Sequence, residues 1–134
     1  MESTAKWTGG FQSVVDNGRS QSVVLDLPEE KGGSDKGATA LELTLMSLSG
    51  CISTIFSKIA GNSDVAFESL KVHVEGSVPD KAKTITGVKA TVYVNSDESE
   101  EKLQKILDKT MAACPVGILF EQADVSMEST LVKE

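Results

Sequence analysis

With 134 residues, 40% of them hydrophobic and 25% charged, the chain has the size and composition of one folded domain and not of a disordered segment. Its formal net charge of −7 argues against nucleic acid and anionic membranes as partners, since both are held by clustered Lys and Arg. Met1 to Gly10 has a polar start and no apolar run, so no secretory signal is read and a reducing, cytoplasmic setting is expected.

Residues 4–8 and 11–16 read as short strands broken at Gly9-Gly10. Asp16-Asn17-Gly18 has the composition of a type I′ hairpin turn, because Asn and Gly tolerate positive φ. A returning strand is expected over 19–27, ended by Pro28, and the polar, Gly-rich 29–36 reads as an exposed loop. Thr39 and Glu42 have capping-box spacing, which predicts a helix from Thr39 to a glycine cap at Gly61. Leu41, Leu45, Leu48, Ile52, Phe56 and Ile59 give it one apolar stripe. The window 41–60 is long enough for a membrane span, but Glu42, Lys58 and six hydroxyl residues speak against one. With small residues on two sides and no strongly charged face, the helix is expected to be buried between layers or against a second copy.

Alternation over 67–78 places Leu70, Val72, Val74 and Val78 opposite Lys71, His73 and Glu75. Val88, Ala90, Val92 and Val94 repeat the pattern, which predicts an antiparallel pair with one wet face. Asp97 with Glu100 suggests a second capping box, and Leu103, Ile106, Leu107 and Met111 line one helical face. Pro115 forces a break at Cys114 and suits the first position of a further turn over 116–121. A last strand is expected over 125–131. Strands, helix, strands, helix, strand is an α+β order, read as one domain over 1–134.

Chemistry, where there is any, rests on Cys51 and Cys114. Cys51 falls mid-helix, beyond the reach of the N-terminal dipole, so an active thiolate there needs a nearby cation. Cys114 sits at a helix joint: as the end of one helix it would feel a field opposing ionisation, and as the start of the next the reverse. Free cysteine is most often a small buried hydrophobe, so packing and chemistry both stay open at this point. Arg19, the only arginine, is the candidate cation, since guanidinium stays charged and offers a planar fork to a thiolate or peroxide oxygen. A solvated strand residue beside a turn is the competing reading. Glu42 is nine residues from Cys51, which turns it to the opposite side of the helix. His73 reads as a surface residue, and one His with two distant Cys does not make a familiar zinc site. No Gly-rich phosphate loop and no Ser/His/Asp pattern is present.

These residues resemble a family. Gly37-Ala38-Thr39-Ala40-Leu41-Glu42-Leu43, continuing through Leu45-Met46-Ser47-Leu48-Ser49-Gly50-Cys51, is similar to the central-helix motif of the OsmC/Ohr-like proteins. Ala112-Ala113-Cys114-Pro115-Val116 resembles their second cysteine motif, and Lys6-Trp7-Thr8-Gly9 their opening strand. The thiols are 63 residues apart, as suits the family. The resemblance implies antiparallel sheets wrapped around a long buried central helix in an intertwined homodimer. It also implies a thiol-dependent peroxidase acting on organic hydroperoxides or hydrogen peroxide. Cys51 would become a sulfenic acid, Cys114 would condense with it to a disulfide, an external dithiol would reduce that bond, and no cofactor or metal is needed. Two positions depart from the peroxidase branches. Their glutamate ten residues before the first cysteine is Leu41 here, with Glu42 matching the broader OsmC-like group. Their arginine follows the early Gly-rich turn, where this chain has Phe11, so the role falls to the later Arg19. The alternative reading is a non-enzymatic dimer that binds a small apolar molecule or serves in stress protection.

Overall fold

The computed structural model describes all 134 residues and divides into two compact units, Met1–Thr44 and Leu45–Glu134. In the first, the paired glycines close a hairpin between β1 (Thr4–Gly9) and β2 (Gln12–Asp16). Gly9 and Gly10 both take positive φ, 125° and 53°, which residues with a Cβ rarely adopt. β3 (Ser22–Leu25) adds antiparallel to β2, in the order β1-β2-β3. It is shorter than expected, because the turn before it is longer. Only Gly18 is left-handed there, so a two-residue type I′ turn does not form. Instead the Asp16 and Asn17 side chains accept from the Gly18 and Arg19 amides at 2.9 and 3.1 Å, and residues 17–21 make a wider loop. Asx side chains that hydrogen-bond two residues ahead compete with the tighter turn.

The expected loop after Pro28 holds a 3₁₀ turn, Glu29–Lys31, and is organised by one carboxylate that sequence patterning does not single out. Asp26, only 3% exposed, accepts from the amides of Leu27 at 2.8 Å, Ser34 at 3.1 Å and Lys36 at 3.2 Å, and from Gln12 Nε2 at 3.2 Å. Burial raises its pKa, but the bonds from Leu27, Lys36, Gln12 and Ser34 outweigh that and hold it below the ordinary 3.8. The folded-back loop leaves no room at two glycines: a Cβ on Gly33 would overlap the Leu27 carbonyl, and one on Gly37 the Val24 carbonyl.

α1 (Ala40–Asn62) starts as its sequence requires, with the Thr39 amide bonded to Glu42 Oε2 at 2.7 Å and the Glu42 amide to Thr39 Oγ1 at 3.2 Å. It ends differently. Gly61 stays helical, and Asp64 supplies the left-handed residue, φ 52°, while the Val65 amide returns to the Ala60 carbonyl at 3.0 Å. By length and composition α1 is apolar enough to cross a membrane. Here Leu48, Ile52, Phe56 and Ala60 are fully buried and centre the core of the second unit.

That core is closed by a sheet in the order β4-β5-β6. β4 (Ser69–Ser77) and β5 (Gly87–Asn95) pair antiparallel, with Lys71, His73 and Glu75 on the wet face as their alternation dictates. Val78 falls beyond the strand and is exposed. Val88, Ala90, Val92 and Val94 are buried to a residue. Phe56 meets Phe67 edge to face, with ring centroids 6.0 Å apart. α2 (Glu100–Ala113) is capped by Ser99, whose Oγ accepts from the Lys102 amide at 3.3 Å, and not by an Asp97–Glu100 box. Ser96 explains the shift: its hydroxyl is tied to the Ala66 carbonyl and to the Glu98 amide, which keeps Asp97 outside the helix. α3 (Pro115–Gln122) follows at once, and β6 (Ser126–Lys133) lies parallel to β5 after this helical crossover, so the sheet is mixed.

Asp26→Asn is expected to lower the Tm by several degrees. Because the folded pKa lies below the unfolded one, the wild-type advantage is complete well above pH 3.8 and fades as pH falls through the depressed value. Thermal melts of both proteins between neutral and strongly acid pH check this, and a gap that does not narrow in acid contradicts it.

Candidate functional site

Cys51 is half-buried, on the border between the core stripe of α1 and its exposed side, where Ser47, Gly50, Thr54 and Lys58 lie. Cys114 is fully buried at the joint where α2 ends and α3 begins. Pro115 causes that joint. It holds Cys114 in extended geometry, φ −73° and ψ 109°, and itself opens α3. The backbone therefore ends one helix and caps the next on a single residue.

The fold brings the two thiols together: Cys114 Sγ donates to Cys51 Sγ at 2.9 Å. That separation is within about 1 Å of a disulfide bond length. Both cysteines are free. The field that the sequence left undecided now has a sign. Cys114 is the N-cap of α3, and its sulfur accepts from the Gly117 amide at 3.4 Å. Yet burial dominates and raises its pKa from 9.0 to about 11, reinforced by the hydrogen bond to Cys51 and by charge on that sulfur. The amides of Gly117 and Val116 pull the other way without prevailing. The pair is unequal. Cys114 is the neutral, enclosed thiol, and Cys51 is the cysteine that keeps some exposed surface.

Arg19 lies in the loop before β3 and not on a strand. It is exposed, belongs to the first unit, and lines an open depression of about 580 Å³ with Met1, Glu2 and Asn17. Glu42 is spent on its capping box; the Thr39 amide and hydroxyl, with the charge of Lys31, hold its carboxyl below 4.5 against a small effect of burial. His73 is exposed, with Nε2 4.0 Å from Glu75 Oε1. No group of three or more His, Cys, Asp or Glu side chains is placed to hold a metal ion. The Gly117 amide is the contact to Cys114 that residue patterning missed. Its signal was present in Cys-Pro-Val-Gly: with proline at the first helical position, the third is glycine, whose amide points back at the cap.

In Cys51→Ala, two of the causes that raise Cys114 disappear, so its pKa is expected to fall from about 11 while burial keeps it above 9.0. Thiolate ultraviolet absorbance against pH, referenced to Cys51→Ala/Cys114→Ala to remove the tyrosine signal, measures it. An unchanged midpoint contradicts the coupling.

The model of the OsmC-like protein family matches residues 33–129. Among solved structures, the fold is similar to an OsmC-like protein from Mycoplasma pneumoniae, with a TM-score of 0.88 and 16% identity over 98% of this chain and 95% of that one. An organic hydroperoxide resistance protein OsmC from Legionella pneumophila gives 0.77 at 17% identity, covering 98% and 97%. A putative organic hydroperoxide resistance protein from Vibrio cholerae gives 0.71 at 16%, covering 99% and 91%. At these identities the likeness is one of fold. No curated protein sequence matches the chain.

Proposed function

We propose that this chain, which belongs to the OsmC-like protein family, is a thiol-dependent peroxidase for organic hydroperoxides or hydrogen peroxide. The observation that carries the reading is the 2.9 Å contact between two free thiols held by separate helical elements. Similar folds described as hydroperoxide resistance proteins support it.

Exposure and acidity assign the roles. Cys51, which a small molecule can reach, attacks the terminal peroxide oxygen as thiolate. The O–O bond breaks, the alcohol or water leaves with a proton, and Cys51 becomes a sulfenic acid. Cys114, already in contact, gives up its proton and attacks that sulfur, so water leaves and a disulfide forms. An external dithiol returns both thiols. Arg19 is proposed to hold the peroxide oxygen or the Cys51 thiolate, as the only guanidinium in the chain.

A homodimer is part of the proposal. In the first unit Trp7 is 75% exposed and Phe11 59%, Val23 and Val24 are exposed as well, and no apolar side chain is buried. A three-stranded sheet without a covered face does not hold itself together. The outward side of α1 carries Ser47, Gly50, Thr54 and Lys58 together with the exposed apolar Leu41 and Met46, a surface that a second copy would cover. Light scattering at micromolar concentration should give twice the chain mass, and a monomeric mass contradicts the dimer.

Reduced protein mixed with cumene hydroperoxide should lose both thiols in wild type and none in Cys51→Ala. Cys114→Ala should stop at a sulfenic acid that dimedone traps. Arg19→Ala should slow the reaction roughly 10- to 100-fold, the worth of a hydrogen bond to a charged group. Thiol loss no faster than that of free cysteine would overturn the peroxidase and favour the non-enzymatic, small-molecule-binding reading.

A further inference from the structure

A disulfide has two sulfurs, and an incoming thiolate must choose one. It attacks along the line of the S–S bond, from the side opposite the sulfur that leaves. Cys114 has no exposed surface even in a single chain, and a second copy only covers it further. Leu103, Ile106, Leu107 and Phe120 belong to the same buried core. Of the two cysteines only Cys51 keeps exposed surface, on the border of the exposed side of α1.

We infer that the external dithiol forms its mixed disulfide on Cys51, and that Cys114 departs as a thiolate received by the Gly117 amide at the first turn of α3. This deepens the peroxidase reading and rests on it. The thiolate of the dithiol bonds to Cys51 Sγ while the Cys51–Cys114 bond breaks, and its electron pair goes to Cys114, which takes a proton. The second thiol of the dithiol then attacks the external sulfur and expels the Cys51 thiolate. Two protein sulfurs are reduced and the dithiol becomes a cyclic disulfide. The same outward sulfur thus meets both peroxide and reductant.

Leaving-group chemistry alone would choose the opposite direction. A thiol raised to about 11 is the poorer leaving group, which would favour attack at Cys114. Access overrules it, because an enclosed sulfur offers no approach. The Gly117 amide, 3.4 Å from Cys114 Sγ, lessens the penalty by donating to the charge as it develops. Gly117 is a positioning residue: it touches Cys114 and not the reductant.

The full chain is oxidised with diamide, so that the disulfide arises without peroxide chemistry. N-acetylcysteine is added in excess, and the reaction is quenched with acid within the first turnover, unfolded, alkylated and digested with trypsin. Residues 37–58 and 110–133 carry the two cysteines on separate peptides. The acetylcysteine adduct is expected on the Cys51 peptide, in about tenfold excess or more, with the alkyl label on the Cys114 peptide. Adduct chiefly on Cys114, or equally on both, overturns the inference. Gly117→Pro removes the donor and is expected to slow reduction roughly 10- to 100-fold. Gly117→Ala keeps the donor, and its Cβ would meet Cys114 Sγ at an ordinary 3.5 Å, so it should reduce much faster than the proline variant. A folded Gly117→Pro that reduces at the wild-type rate removes the amide from the mechanism; should it fail to fold, the adduct map on wild type still decides. A chain oxidised by diamide but not by cumene hydroperoxide sinks the peroxidase reading alone, and the adduct map remains a separate result.

Discussion

Two sulfurs from distant parts of the chain lie 2.9 Å apart, one on α1 and the other at the joint of α2 and α3. Cys51 is one residue from Ile52, which is buried to zero exposure and anchors α1 against the core. Cys114 follows α2, fixed by Leu103, Ile106 and Leu107, and precedes α3, fixed by Phe120. A side chain on a well-packed helix has few rotamers to choose from. The contact therefore exists before any oxidant arrives, and disulfide formation needs only the closure of about 1 Å. Everything proposed about the chemistry follows from that prior placement.

The same packing makes the thiols unequal. Enclosure raises Cys114 to about 11, the wrong direction for a nucleophile at neutral pH, whereas its partner keeps a path to solvent. A cap position ordinarily favours an anion through the orphan amides of the first turn. Here those amides only moderate a larger desolvation effect. The joint at Pro115 thus holds the buried sulfur mostly neutral, with the Gly117 amide directed at it.

Much of this was legible in the chain because local rules and tertiary packing agree. The Thr39–Glu42 box, the apolar stripe of α1, the alternation over β4 and β5 and the break at Pro115 each follow from one short pattern, and the fold follows them except at Leu41 and Val78, which are exposed. The differences arise where several residues compete for one role. Ser96, Asp97 and Ser99 are all competent caps, and the Ser96 contact with Ala66, 30 residues away, decides among them. Gly61 was available as a helix cap, but the chain turned three residues later at Asp64. Asp26 was invisible to patterning, since its four partners are spread from Gln12 to Lys36 and carry no shared motif. The sulfur pair lies between these cases. Its members were nameable from sequence, but their contact is a property of helix packing, and no spacing along the chain encodes it.

Rigid placement also constrains what the site can do in a cycle. A sulfur that closes a disulfide by moving only about 1 Å is poorly placed to swing out to meet a reductant. Redox pairs in mobile loops can present either thiol to a partner; under the proposed function this pair, set in helices, would present one. In the proposed cycle Cys51 is attacker, electrophile and leaving group in turn, while Cys114 captures and releases without contacting anything outside the protein. On that proposal the buried thiol is an internal reactant, which shields the oxidised Cys51 from further peroxide by capturing it first. Such a division needs no lid and no hinge, only a helix joint that keeps one sulfur inside and an amide ready to receive it.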